Sequence, residues 1–351
     1  MRSARPTNAQ LGAWIALALL GLATLIGVIT LRPSDQSVID PLPGAAEATE
    51  AARVVAVEEG GCRFAGAPGG SAPACVRVLA ELRSGPREGE VVGFDVGASV
   101  GISRGDDVRL VASGVDAEAF GGVDVDPYVL SDFERRPTLL IVVAAFALLL
   151  LVTTRLKGLR ALVALAASLA VILAFIVPAI ADGGPPVTVA LFGALAVMLV
   201  TILITHGVGI VASAAALGTA VALGIAVVLA DWVTRAADIS GFAQEDALLL
   251  AGGSDTLSLR GLLVAGTVIG ALGVLDDLTI SQASTVMAIR SANPALGPID
   301  LFRRASGVGH DHIVATINTL ALAYAGAALP TLLIFSVAGT GFSEAVNSCL
   351  L

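Results

Sequence analysis

Two adjacent aspartates, Asp276 and Asp277, interrupt an otherwise apolar stretch, GLLVAGTVIGALGVLDDLTISQAST. A carboxylate inside a bilayer costs several kcal/mol, so residues of this kind are usually paired or functional. On a helix, Asp277, Ser281 and Ser284 fall at i, i+4 and i+7 and share a face. Asp276 lies about 100° away, near Thr279 and Ala283. Such a face could line a polar path between helices, bind a cation or carry a proton. The alternative is an interfacial pair facing Arg290. From Arg260 to Asp276 is 16 residues, about 24 Å of helix, which nearly crosses the hydrocarbon.

An aspartic-protease dyad is excluded. It needs two carboxylates facing one another across a shared proton, whereas neighbours on one helix point apart. No catalytic residue, metal site or cofactor is expected: the chain has no phosphate-cradling loop, GxSxG, HExxH or CxxC. It therefore reads as a non-enzyme. His310-Asp311-His312 alternates two metal-capable side chains, but Asp311 also suits a helix start, and capping is the preferred reading. His206 reads as an interfacial residue in a turn between spans. Asn318, accompanied by Thr316, Thr319 and Tyr324, needs a polar partner in lipid. The expectation is a bond to the Asp277/Ser281 face, as interhelical glue or as part of a solute site.

These groups need membrane helices to hold them. The chain has 351 residues, 56% hydrophobic, with mean hydropathy +0.89. About 20 apolar residues cross a hydrocarbon core of about 30 Å. Residues 11–31 qualify as a retained N-terminal anchor, since the run is too long for the apolar region of a signal peptide. Further spans are expected at Thr138–Thr154, Leu159–Ala181, Val187–Thr205, Val208–Ala230, Gly261–Gln282 and Ile313–Ala338. The fold class is thus an all-α polytopic membrane bundle of about seven transmembrane helices, with a small β-rich domain between helices 1 and 2. Rows of small residues, Ala212-Ala216-Ala220-Gly224 and Gly266-Gly270, predict close helix packing.

The β-rich domain lies within 32–136. Short β-type runs at Arg53–Glu59, Ala74–Arg83, Glu90–Val96 and Asp106–Ala112 are separated by Gly, Pro and Ser clusters, the pattern of a small antiparallel sandwich or an OB-like barrel. The segment holds 18 of the 29 acidic residues and 10 of the 20 Lys and Arg. Its acidity excludes a nucleic-acid surface. Lys and Arg outside it favour a cytoplasmic N-terminus and an extracytoplasmic 32–136, in the cell membrane. There Cys62 and Cys75 would be free to form a disulfide. The remaining division is 1–31 for tip and anchor, 137–340 for the bundle and 341–351 for a tail.

The segment GALGVLDDLTISQASTV resembles a signature of YibE/F-like membrane proteins, and GHDHIVATINTLALAYAGAALP resembles the family's other hallmark. HGVGIVASAAALGT and PYVLSDFERRPTLL are similar to weaker blocks, so the likeness covers most of 50–340. It implies a permease-like multispanning protein without an established substrate. Asp276 or Asp277, Ser281, Ser284, Asn318 and Tyr324 then occupy the signature polar positions. It also implies one more helix than the sequence supplies after Glu344. The expected function is a permease for a small ion or solute. The alternative is a non-transporting scaffold or sensor whose outer domain binds an envelope partner. Expected partners are the lipid bilayer, the solute and, as an open alternative, a second copy of the chain.

Overall fold

A computed structural model describes residues 8–33, 49–59, 75–112, 128–239 and 257–337. The chain divides into two compact units, Pro41–Leu149 and the combination of Met1–Asp40 with Leu150–Leu351.

The first unit is a curled antiparallel sheet. Its strands are β1 (Glu50–Glu59), β2 (Cys75–Leu82), β3 (Val91–Gly97), β4 (Asp107–Ala112) and β5 (Tyr128–Phe133), in the order β3-β2-β1-β4-β5. The edge strands β3 and β5 approach one another, which curls the sheet around one core. Alternation supplies that core: Val78, Ala80 and Leu82 on β2, Val92, Phe94 and Val96 on β3, and Val108 and Leu110 on β4 are all buried. In β1 the alternation breaks. A bulge between Val54 and Ala56 shifts the register, so that Ala52 and Val54 point inward and Val57 rejoins them. A second irregularity, opposite Arg109 and Leu110, does the same for Leu130 and Phe133 on β5. The four expected strands are present within a residue or a few at their ends, and β5 is a fifth that the sequence reading did not include. Cys75 opens β2 and is disulfide-bonded, while Cys62 lies outside the described residues.

Polar contacts tie the entrance of this unit to its exit. Arg109 Nη2 donates to the Thr49 carbonyl at 2.6 Å, and Arg109 Nη1 lies 3.7 Å from Glu134 Oε2. The Tyr128 hydroxyl donates to Glu50 Oε2 at 2.9 Å, with the Arg87 guanidinium 5.1 Å from its ring centre. Burial of the phenol, reinforced by the hydrogen bond to Glu50, holds the Tyr128 pKa above its ordinary value. A raised phenol pKa means that the folded state binds the proton more tightly than the unfolded state. The associated stability is complete below the usual tyrosine value of about 10 and lost as pH rises through the folded value. The protection factors of β4 and β5 amides should therefore fall above about pH 10, and Tyr128→Phe should remove most of that fall.

The second unit is helical. It contains α1 (Asn8–Thr30), the end of α2 (Arg136–Thr154), α3 (Leu156–Ala181), α4 (Pro186–His206), α5 (Ile210–Ala236), α6 (Leu259–Ala292), α7 (Pro298–Ala327) and α8 (Leu329–Val337). Among the described residues six helices, α1 to α6, are long and apolar enough to cross a membrane. The spans expected from 138 to 282 each correspond to one of them. The last expected span, Ile313–Ala338, is divided between α7 and α8 by a break at Ala328. Pro330 supplies the reason, because it cannot donate to the carbonyl of residue 326 and its ring crowds that turn. The 15 apolar-leaning residues from Ile313 to Ala327 share α7 with a charged first half, so α7 is not among the six. The expected spans Gly261–Gln282 and Ile313–Ala338 leave that charged half between them. Instead α6 continues to Ala292, and only Asn293–Gly297 separates it from α7. Arg290, Arg303 and Arg304 interrupt hydropathy without opposing helix formation. A consequence is that His310-Asp311-His312 lies inside α7, and Asp311 does not cap a helix start.

Helices α4, α5 and α6 share one core, built from Ala194, Met198 and Ile202, from Ala212, Ala216 and Leu223, and from Val264, Val268 and Leu272. Leu17 and Leu20 of α1 pack against it, so the N-terminal helix belongs to the bundle. The chain turns from α4 to α5 at Gly207, whose φ of 71° suits glycine. Small-residue packing is realised at Ala212, Ala216 and Ala220, but not at Gly224, Gly266 or Gly270, where an added Cβ would meet nothing within 4 Å. A four-residue step overshoots a helical turn by about 40°, so the row drifts off the interface. The buried set instead follows Ala212, Ala215, Ala216, Thr219 and Leu223.

Candidate polar site in the helix bundle

A cavity of about 220 Å³ lies between α3, α4 and α6. Its wall is mostly hydrocarbon, from Ile172, Ile176, Ala194, Val197, Ile269 and Leu272. Three side chains bring oxygen to it: Ser168, Thr201 and Asp276. Each is placed by a local rule. Asp276 is one helical turn beyond Leu272, so the buried stripe of α6 carries it toward α4. Thr201 lies 15 residues after Pro186, about 22 Å along α4, within the thickness of the hydrocarbon. In α3 a single π turn, Ile172–Ile176, forms part of the wall, and within it Val177 N–H reaches back to the Ile172 carbonyl. Pro178 follows immediately. It has no N–H for the preceding turn, which opens rather than breaks.

Asp276 Oδ2 lies 3.3 Å from the Thr201 hydroxyl, whose Oγ1 also lies 3.0 Å from the Met198 carbonyl. Asp276 Oδ1 is buried and finds no hydrogen-bond partner among the described residues. His206, exposed at the end of α4, lies within electrostatic range of Asp276. Beside this site Thr219 of α5, fully buried, shares a hydrogen at 2.5 Å with Thr279 of α6, which joins those two helices.

Asp277 occupies a different face. Its side chain is 78% exposed, and Oδ2 lies 3.5 Å from His312 Nε2 on α7. That contact does not amount to a hydrogen bond, since His312 Nε2, itself buried, has no such partner among the described residues. Gln282 fastens the same pair of helices by donating to the Ala305 carbonyl at 2.8 Å. Ser281 and Ser284 are exposed on α6, and Asn318 and Tyr324 are exposed on α7. None of the four lines the cavity. Of the expected polar residues, then, Asp276 alone reaches it. Its partner Thr201 and the neighbouring lining residue Ser168 were not singled out in the sequence. A threonine within MLVTILITH is ambiguous, because threonines in helices commonly bond back to their own backbone. Among the described residues no group of three His, Cys, Asp or Glu side chains could hold a metal ion.

Six apolar helices among the described residues, and an acid turned into a cavity between three of them, define a helical membrane protein. No curated protein and no solved structure matches the chain. A family model does: residues 142–351 match the YibE/F-like protein family, and the chain belongs to that family.

Proposed function

We propose that the protein is a permease for a small ion or solute and that Asp276 is its coupling residue. The observation that carries this reading is the Asp276 carboxyl group, turned into a hydrocarbon-walled cavity with one oxygen unpartnered. A membrane helix does not keep such a group for stability, and intramembrane acids commonly serve ion or proton pathways. The reading contains no catalytic step. In support of a plasma-membrane orientation with a cytoplasmic N-terminus, Arg2, Arg5, Arg155, Lys157, Arg290, Arg303 and Arg304 all fall on one side of the expected spans. The disulfide at Cys75 suits an oxidising outer compartment, and we take Cys62 as its partner. We take the tail of α7 with α8 as a seventh, broken crossing.

The test is uptake into proteoliposomes across a panel of inorganic ions and small metabolites. Asp276→Asn should lower uptake at least about 30-fold, the equivalent of one charge-assisted hydrogen bond of about 2 kcal/mol. Asp277→Asn should remain within about twofold of the parent, as expected for an exposed charge. Wild-type uptake by Asp276→Asn would defeat the proposal.

A second reading, a scaffold or sensor, is favoured by one observation: the β unit has its own core. The strand order and the approach of β3 to β5 support an OB-like barrel, a fold that often binds ligands on its strand 2–3 face. Removing residues 50–133 separates the readings, since a permease would keep part of its uptake and a scaffold would lose its cellular phenotype.

A further inference from the structure

We propose that the species bound at Asp276 is a proton rather than a metal cation. The inference deepens the permease reading and, as a statement about transport, rests on it.

Hydrogen bookkeeping at the site leads to this. Thr201 has one O–H. Its shorter contact, 3.0 Å, is to the Met198 carbonyl, the usual back-bond of a threonine in a helix. With the hydrogen committed there, the 3.3 Å contact to Asp276 Oδ2 is satisfied when the carboxyl group supplies a hydrogen of its own. The second oxygen, Oδ1, is buried and has no donor among the described residues. An ionised carboxylate presents about four acceptor positions, and this site offers at most one donor, already shared. A carboxylic acid presents fewer acceptors and adds the missing donor. Binding is simply addition of one proton to one carboxylate oxygen.

The surroundings argue against a metal ion by number of ligands. Magnesium and calcium take six or more oxygens. Besides Asp276, the only side-chain oxygens that the described residues bring to the cavity wall are the Ser168 and Thr201 hydroxyls, and Ser168 donates to the Ala164 carbonyl at 2.8 Å. The charged groups nearby are few. Helix α4 contributes His206, within electrostatic range of Asp276, and α6 contributes Asp277, which faces His312 of α7. On α3 no charged side chain lines the cavity, and where α5 meets α6 the polar contact is the neutral Thr219–Thr279 pair.

The experiment uses the full chain in lipid nanodiscs. Dicyclohexylcarbodiimide reacts with protonated carboxyl groups in apolar surroundings, and peptide mass spectrometry locates the adduct. Labelling of Asp276 should be present in acid and fall about tenfold per pH unit beyond its titration point. At fixed pH, sodium, potassium or magnesium should change it by less than about twofold, since a site short of oxygens holds such ions poorly. Protection by any of these ions of about tenfold or more would overturn the proposal, because it would indicate direct ligation by the carboxylate. Infrared difference spectroscopy provides a second readout that does not depend on reagent access. A carboxylic-acid carbonyl band should appear on acidification and be missing in Asp276→Asn. If that band is identical in both proteins, the proposal fails whatever the labelling shows. Titrating labels in a protein without uptake would sink the permease reading and leave the proton site standing. Uptake that depends on Asp276 but is blocked through metal protection would do the reverse.

Discussion

Phe94→Ala should strongly destabilise the β unit while leaving the helices intact. Phe94 is 1% exposed, heads the fully buried side chains by size, and stands opposite Val78 in the β2–β3 ladder. Truncating a buried phenylalanine costs about 3–5 kcal/mol, through lost transfer free energy and the cavity left behind. A domain of this size commonly has about 5–15 kcal/mol in total, and the small ones sit at the lower end. Hydrogen exchange followed by mass spectrometry would show it. Amides of β1 to β4 should lose protection by roughly two to three orders of magnitude, and those of α4 to α6 should not change, because the two cores are separate. Unaltered protection in the strands would mean that this core is not the one holding the sheet.

Gly193→Leu should destabilise the bundle beside the cavity. A Cβ built at Gly193 runs into the Ile176 side chain, which is 2% exposed and belongs to the π turn of α3. Ile176 also lines the Asp276 cavity, so its natural retreat is into that space. Overpacking of a tight contact costs about 1–3 kcal/mol and occasionally more, and a four-carbon side chain at a helix crossing belongs at the upper end. The purified variant should melt at lower temperature and lose uptake, while Gly193→Ala should show a smaller loss of both. A full-length variant with unchanged melting would show that α3 and α4 can separate freely at this point.

The helices were legible because they rest on run length, which no neighbour can alter: 20 apolar residues cross lipid whatever packs beside them. The strands were legible where alternation is regular, as in β2 and β3. β1 hides its phase, since the bulge after Val54 puts two residues where the pattern allows one. β5, in PYVLSDFERR, mixes charge with a register shift and does not read as a strand. The site was legible only in part. Adjacent aspartates announce themselves, but which of the two faces inward depends on where α4 lies, and spacing along a single helix cannot carry that. The spacing of Ser281 and Ser284 favoured the Asp277 side; the contact with Thr201 selects Asp276. Asn318 and Tyr324 were read as belonging to a continuous last span, and the break at Ala328 ends that helix early.

The wide turn in α3 has a consequence for how this helix can change over time. Five residues, Ile172–Ile176, occupy a loop of backbone that four would normally close. The helix therefore carries a spare residue at the point where it borders the cavity. Loss of one residue there would tighten the loop to the ordinary pitch and leave the stretches on either side facing as before. Loss of one residue anywhere else in α3 would swing one end of the helix through about 100° relative to the other.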